Sequence, residues 1–137
     1  GSYAGIVPTV IQKVLRGEPI HIYGDGEQTR DFTWVGDTVD AAVSIHNLVG
    51  AVGKVLNVAT GVETSINTLV SGILDVMERP KHKVLFMDPR PGDVRRHCAD
   101  ISKFRHLFPD QVPQPLSRSE LEKTVSWYLD PAASTGH

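Results

Sequence analysis

The sequence predicts a small mixed α/β domain of helices and short strands. Three observations carry this reading. Residues 66–77 repeat apolar side chains at helical spacing. Runs of β-prone residues such as Ile20-His21-Ile22-Tyr23 are present but short. The length, 137 residues, allows one domain and hardly two. A chain of this size buries roughly two thirds of its unfolded surface. With 40% hydrophobic residues it can fill such a core, which argues against general disorder.

Each element follows from local pattern. Residues 5–16 carry Ile6, Val7, Val10, Ile11, Val14 and Leu15 at helical spacing, with Pro8 tolerable in the first turn and Gly17 as a stop. Ile20-His21-Ile22-Tyr23 reads as a strand and Gly24-Asp25-Gly26-Glu27 as a turn. Arg30 to Val35 reads as extended, with Phe32 and Trp34 on one side. A second helix, capped near Asp37, runs to about Val49 with the stripe Val39, Ala42, Val43, His46, Val49. That stripe makes His46 a core histidine. Lys54 to Ala59 reads as a β run, closed by a turn at Gly61. Ser65 or Asn67 caps the strongest helix, whose stripe is Ile66, Leu69, Val70, Ile73, Leu74, Met77, ending at Pro80.

Lys83 to Met87 is a further strand. Pro89-Arg90-Pro91-Gly92-Asp93 must be irregular, because two prolines and a glycine forbid helix and ladder alike. Val94 to Ala99 reads as extended, and Asp100 caps a short helix bearing Ile101, Phe104, Leu107 and Phe108. A proline-spaced loop covers 111–116. Ser117-Arg118-Ser119-Glu120 is a capping-box pattern that opens a last helix with Leu121, Val125, Tyr128 and Leu129 on one face. The expected domain is 1–130, with a flexible tail at 131–137.

The net charge of −2 hides an asymmetry. Residues 1–78 carry four Lys/Arg against nine Asp/Glu, whereas 79–105 carry eight against three. A basic block of that kind can hold a polyanion. Nucleic acid is a poor candidate, since the block is short, its aromatics are not interleaved for stacking and the chain is acidic overall. No apolar run approaches the roughly 20 residues of a membrane span. No basic segment followed by an apolar stretch marks a signal peptide. The single cysteine, Cys98, excludes an internal disulfide and a multi-cysteine zinc site, and fits a reducing cytoplasm. The six histidines form no metal-ligand spacing, so no metal site is expected.

Two segments stand out chemically. In Tyr23-Gly24-Asp25-Gly26-Glu27-Gln28-Thr29-Arg30-Asp31-Phe32 an arginine follows a glycine turn among aromatics, where its fork can meet a phosphate. In Arg90-Pro91-Gly92-Asp93 a stiff backbone holds a guanidinium and a carboxylate three residues apart, a pair able to read a phosphate and a ribose diol. From composition alone, a surface Arg–Asp pair explains each segment better than a ligand site. Gly24-x-Gly26 is not a dinucleotide fingerprint, because Thr29 stands where the third glycine would be; Walker A and Tyr-x-x-x-Lys patterns are also missing.

The ordered set of motifs decides. Gly17-Glu18-Pro19-Ile20-His21-Ile22-Tyr23-Gly24-Asp25-Gly26-Glu27-Gln28-Thr29-Arg30-Asp31-Phe32-Thr33-Trp34-Val35 is followed by Asp37, Leu56-Asn57-Val58-Ala59-Thr60-Gly61, Arg90-Pro91-Gly92-Asp93-Val94 and Asp100-Ile101-Ser102-Lys103. A closing helix with Thr124 and Trp127 completes it. Over about residues 3–129 the chain resembles the C-terminal, substrate-binding part of extended short-chain dehydrogenases/reductases. Those are the NAD-dependent nucleotide-sugar epimerases and dehydratases, such as UDP-glucose 4-epimerases.

The resemblance implies the C-terminal portion of a Rossmann-type epimerase fold without its dinucleotide-binding half. It implies that Arg30 and Arg90 contact the diphosphate of a UDP-sugar or dTDP-sugar, and that Asp93 contacts the ribose. His21 and Tyr23 would border the base. His97 stands where some epimerases place a tyrosine near the sugar or phosphate. No catalytic or cofactor-binding residue is assigned within these residues: NAD, the Tyr-x-x-x-Lys pair and the glycine-rich loop belong to the Rossmann half of the intact family enzyme. The expected function is therefore nucleotide-sugar binding without catalysis, with a Rossmann half or a second copy as protein partner. The alternative is a self-associating interaction module that has lost catalysis.

Overall fold

The computed structural model describes residues 5–46 and 49–130. In chain order its elements are α1 (Ile6–Leu15), β1 (Ile20–Tyr23), β2 (Thr29–Arg30), α2 (Val35–His46), β3 (Thr64–Ser65), α3 (Ile66–Val76), β4 (Val84–Met87), β5 (Arg96–His97), α4 (Ser102–Leu107) and α5 (Arg118–Leu129). Single 3-10 turns lie at Val49–Ala51 and Pro109–Gln111. The fold is the mixed α/β arrangement that the sequence predicts. The described residues divide into two compact units, one of 5–28, 65–95 and 118–130, the other of 29–64 and 96–117.

The first unit sets three helices with a two-stranded parallel sheet. β1 and β4 pair in register from Ile20 opposite Val84 to Tyr23 opposite Met87. Strand alternation sends Ile20 and Ile22 into the core and leaves His21 and Tyr23 half-buried on the other face. α1 buries Val10, Ile11 and Val14. α3 buries Ile66, Leu69, Val70, Ile73 and Leu74, five members of its predicted stripe. The Ser65 hydroxyl caps α3 by accepting the Thr68 N–H at 3.1 Å. α3 stops at Val76, ahead of Pro80, where Glu78 turns the chain with φ +56. α1, α3 and α5 touch one another pairwise. Gly72 lets α5 come close, since a Cβ there would stand 2.9 Å from Leu121 Cδ1.

The second unit is less regular. β2 pairs in parallel with β5, Thr29 opposite Arg96 and Arg30 opposite His97, and β3 borders β2. Its core is an aromatic pair, Phe104 stacked on Phe108 with centroids 5.1 Å apart. Ala41 and Ala51 join this pair, and Ile45, Leu56, Val58, Leu107 and Val112 pack around it.

Three expectations are corrected here. Val35 is helical rather than extended, so Asp37 lies in the first turn of α2 instead of capping it. The expected stripe of α2 faces outward: Val39, Ala42, Val43 and His46 are exposed. The helix is rotated so that Ala41 and Ile45, four residues apart, meet the phenylalanine pair. Residues 54–58 form no strand. Leu56 and Val58 do alternate onto the core while Val55 is 85% exposed, but the segment has no ladder partner. Residues 131–137, expected to fray, lie outside the described residues.

Candidate functional site

The first unit opens a cleft of about 550 Å³ beside the carboxyl ends of β1 and β4. Tyr23 to Asp25 and Gln28 form one wall, and Phe86 through Arg90, with Asp93 and Arg95, form the other. The 24–27 turn is held firmly. Gly24 and Gly26 take φ of +78 and +76, which L side chains resist. Asp25 Oδ1 accepts the Glu27 N–H at 2.9 Å. Asn67 donates through Nδ2 to the Asp25 carbonyl at 3.0 Å and to Glu27 Oε1 at 2.6 Å. The buried Gln28 donates to the Tyr23 carbonyl at 2.8 Å, fixing the end of β1.

On the facing wall the prolines hold Arg90 so that its guanidinium carbon sits 3.8 Å from the Tyr23 ring centroid. Among the described residues Arg90 has no carboxylate partner. Its neighbours in sequence do. Arg95 Nη1 pairs with Asp25 Oδ1 at 2.7 Å, and Arg96 grips Glu63 with both Nε and Nη2. The hydrogen bond from Arg95 holds the Asp25 carboxyl below its usual range. Those from Arg96 and the Thr29 hydroxyl bring Glu63 down to about 2.

Of the residues proposed from sequence, Tyr23, Arg90 and Asp93 come together on this cleft. His21 shares a strand face with Tyr23 but does not line it; its Nδ1 stands 3.4 Å from Lys13 Nζ. Arg30 and His97 lie in the second unit as register partners, and Arg30 donates to the Thr29 carbonyl at 2.7 Å. Sequence reasoning did not single out Asp25, Gln28, Phe86 or Arg95 as site residues. The basic block did contain Arg95, but nothing in the pattern showed which of its arginines would be paired. It also missed Asp31. This carboxylate accepts Thr60 Oγ1 at 2.6 Å, Thr60 N–H at 3.1 Å and Gly61 N–H at 2.9 Å. Cys98 Sγ lies 3.9 Å from the same carboxylate. Desolvation and that negative charge raise the thiol, the opposite of what a nucleophile needs.

The chain matches a family model over residues 1–59, described as the NAD dependent epimerase/dehydratase family. It is 36% identical over 128 residues to UDP-glucose 4-epimerase of Mycolicibacterium smegmatis, covering 91% of this chain and 39% of that one. A solved UDP-N-acetylglucosamine 4-epimerase from Methanobrevibacter ruminantium, in complex with UDP-N-acetylmuramic acid, superposes with a TM-score of 0.75 at 35% identity. That match covers 94% of this chain and 40% of the epimerase. The chain belongs to the NAD-dependent epimerase/dehydratase family. It spans about two fifths of the length of the relatives it matches. A more distant epimerase/dehydratase, the UDP-glucuronic acid 4-epimerase from Bacillus cereus, was solved with UDP-glucuronic acid and NAD; TM-score 0.76, 27% identity, 89% of this chain and 38% of that one.

The 24–27 turn does not fit the dinucleotide of this family. A dinucleotide loop leads from a strand into a helix and keeps its glycines open to the pyrophosphate. Here the turn leads from β1 to β2, and the Asn67 amide fills the space in front of Gly26.

Proposed function

We propose that this chain binds a nucleoside diphosphate sugar, carrying uracil or thymine, as the substrate-binding part of an NAD-dependent sugar epimerase or dehydratase. The observation that carries the reading is Arg90. It is a guanidinium fixed against an aromatic face, without a carboxylate partner among the described residues, on a cleft it shares with Asp93. A diphosphate supplies the anion that Arg90 lacks, and the Asp93 carboxylate can accept from the ribose hydroxyls. Tyr23 and the end of β1 border the base. The UDP-sugars in the solved relatives point to the same ligand class.

Proton and hydride exchange at the sugar would need a Tyr-x-x-x-Lys pair and bound NAD. These 137 residues contain no Tyr-x-x-x-Lys. In this reading they select and hold the substrate, and the reacting groups belong to the rest of an intact enzyme.

The test is calorimetric titration with UDP and dTDP. Arg90→Ala weakens binding by about tenfold or more, the value of a lost charge-assisted contact. Arg30→Ala and His97→Ala are separate arms that ask whether the second unit contributes. Absence of saturable binding at millimolar ligand, or binding indifferent to Arg90→Ala, overturns the reading.

A second reading, self-association, rests on the outward face of α2, where Val35, Val39 and Val43 are 70%, 54% and 63% exposed. Sedimentation decides it. A concentration-dependent dimer abolished by Val39→Asp supports it, and a monomer at high concentration contradicts it.

A further inference from the structure

We propose that Arg95 is a second phosphate ligand of the cleft, held in reserve by Asp25. This rests on the nucleotide-sugar reading of the same cleft and names what governs it. The walls carry two guanidinium groups, Arg90 and Arg95, against three carboxylates, Asp25, Asp88 and Asp93. A diphosphate entering such a cleft meets a net negative lining unless a cation is turned toward it. Arg90 already lines the cleft, stacked on the Tyr23 ring. Arg95 is the one other cation in the lining, and its charge is spent on Asp25 at 2.7 Å.

The two partners are unequally fixed. Asp25 is locked by its turn: its carboxylate accepts the Glu27 N–H, and its carbonyl accepts from Asn67. Arg95 stands on the irregular segment beyond Gly92, and among the described residues its side-chain hydrogen bond goes to Asp25. When the pair opens, Arg95 is the side that swings. Opening is easy, because the two side chains are 60% and 57% exposed and ion pairs so exposed are weak. A phosphate oxygen pair offers the guanidinium a two-point contact, where Asp25 now takes one.

Arg96, the next residue, shows the contrast. It holds Glu63 through two nitrogens, the Glu63 side chain is only 21% exposed, and the Thr29 hydroxyl shares that carboxylate. That pair is a structural clamp, and the Arg95 pair is a latch that a dianion exchanges. Asp25 thereby sets how much anionic charge a ligand needs before Arg95 joins it.

The experiment is UDP titration of four chains: unmodified, Asp25→Asn, Arg95→Ala and the double variant. Asparagine keeps the acceptor for the Glu27 N–H, so the turn persists. The latch predicts that Asp25→Asn tightens UDP by about threefold or more when Arg95 is present and by clearly less when Arg95 is alanine. Equal gains in both backgrounds, or no gain, overturn it, since Asp25 then acts only as a nearby charge. Arg90→Ala, run alongside, separates the two failures. Arg90-dependent UDP binding with equal gains removes the latch and leaves the site. No UDP binding by any chain removes both.

Discussion

In the first unit α3 buries five of its eleven residues, and β1 adds Ile20 and Ile22 to the core. In the second, α2 buries Ala41 alone among twelve, and the paired strands are two residues long. The two units solve the same problem by different means. The first is held by periodic apolar burial, which any helix or strand with the right spacing supplies. The second has a small core around Phe104 and Phe108 and adds side-chain hydrogen bonds, most of them to carboxylates, that reach across loops. Asp31 gathers the backbone at 60–61, Glu63 ties Thr29 to Arg96, Asp37 accepts the Gln114 N–H, and Asn57 donates to the Asp100 carbonyl. The cleft lies in the unit with the regular frame, where a stiff sheet edge can hold Tyr23 opposite Arg90.

The comparison predicts which substitutions hurt each unit. The largest effect is expected from Ile73→Ala. This fully buried side chain of α3 leaves a cavity when truncated, at a cost of about 2–5 kcal/mol by urea denaturation. Asp31→Ala comes next. It strands the N–H groups of Thr60 and Gly61, for about 1.5–3 kcal/mol. Hydrogen exchange should place its loss of protection in residues 29–64 and 96–117. A neutral Asp31→Ala would mean that the second unit rests on its phenylalanine core without help from the carboxylates, and the contrast would fail.

A smaller effect is pH-dependent. Glu63 has its carboxyl lowered from 4.5 to about 2 in the folded chain. Its contribution to stability is therefore present in full above the unfolded value, declines as pH falls from 4.5 and is lost through about 2. Glu63→Gln should flatten the stability profile across that window, and an unchanged slope would count against the clamp. The smallest effect is expected from Gly72→Ala. Alanine gains up to about 1 kcal/mol of helix preference, offset by the shift it forces on Leu121, so the midpoint should barely move.

The same difference explains what the sequence disclosed. Apolar spacing located α1, α3 and α5 and most of their buried faces, and the turn glycines marked both ends of the cleft's first wall. In the second unit the same rule chose the wrong face of α2, because its apolar residues spread over about half the circumference and the phenylalanine pair decides which side is covered. It also promised a strand at 54–59. Leu56 and Val58 have the alternation, but a ladder needs a partner that no local pattern specifies. Asp31 and Glu63 went unread for a related reason: their partners lie some thirty residues or more away, at spacings without period. In the cleft, Arg90 and Asp93 were visible because prolines and glycine frame them. Asp25 and Arg95 were not, being 70 positions apart.

The most direct test of the central claim is a residue-resolved titration. UDP is added to isotope-labelled chain while the backbone amide resonances are followed by NMR. The account predicts saturable shifts at Tyr23, Gly24, Asp25, Met87, Arg90 and Asp93, fitting one dissociation constant and abolished by Arg90→Ala. Shifts confined to other residues, or a spectrum that UDP leaves unchanged at millimolar concentration, would contradict it.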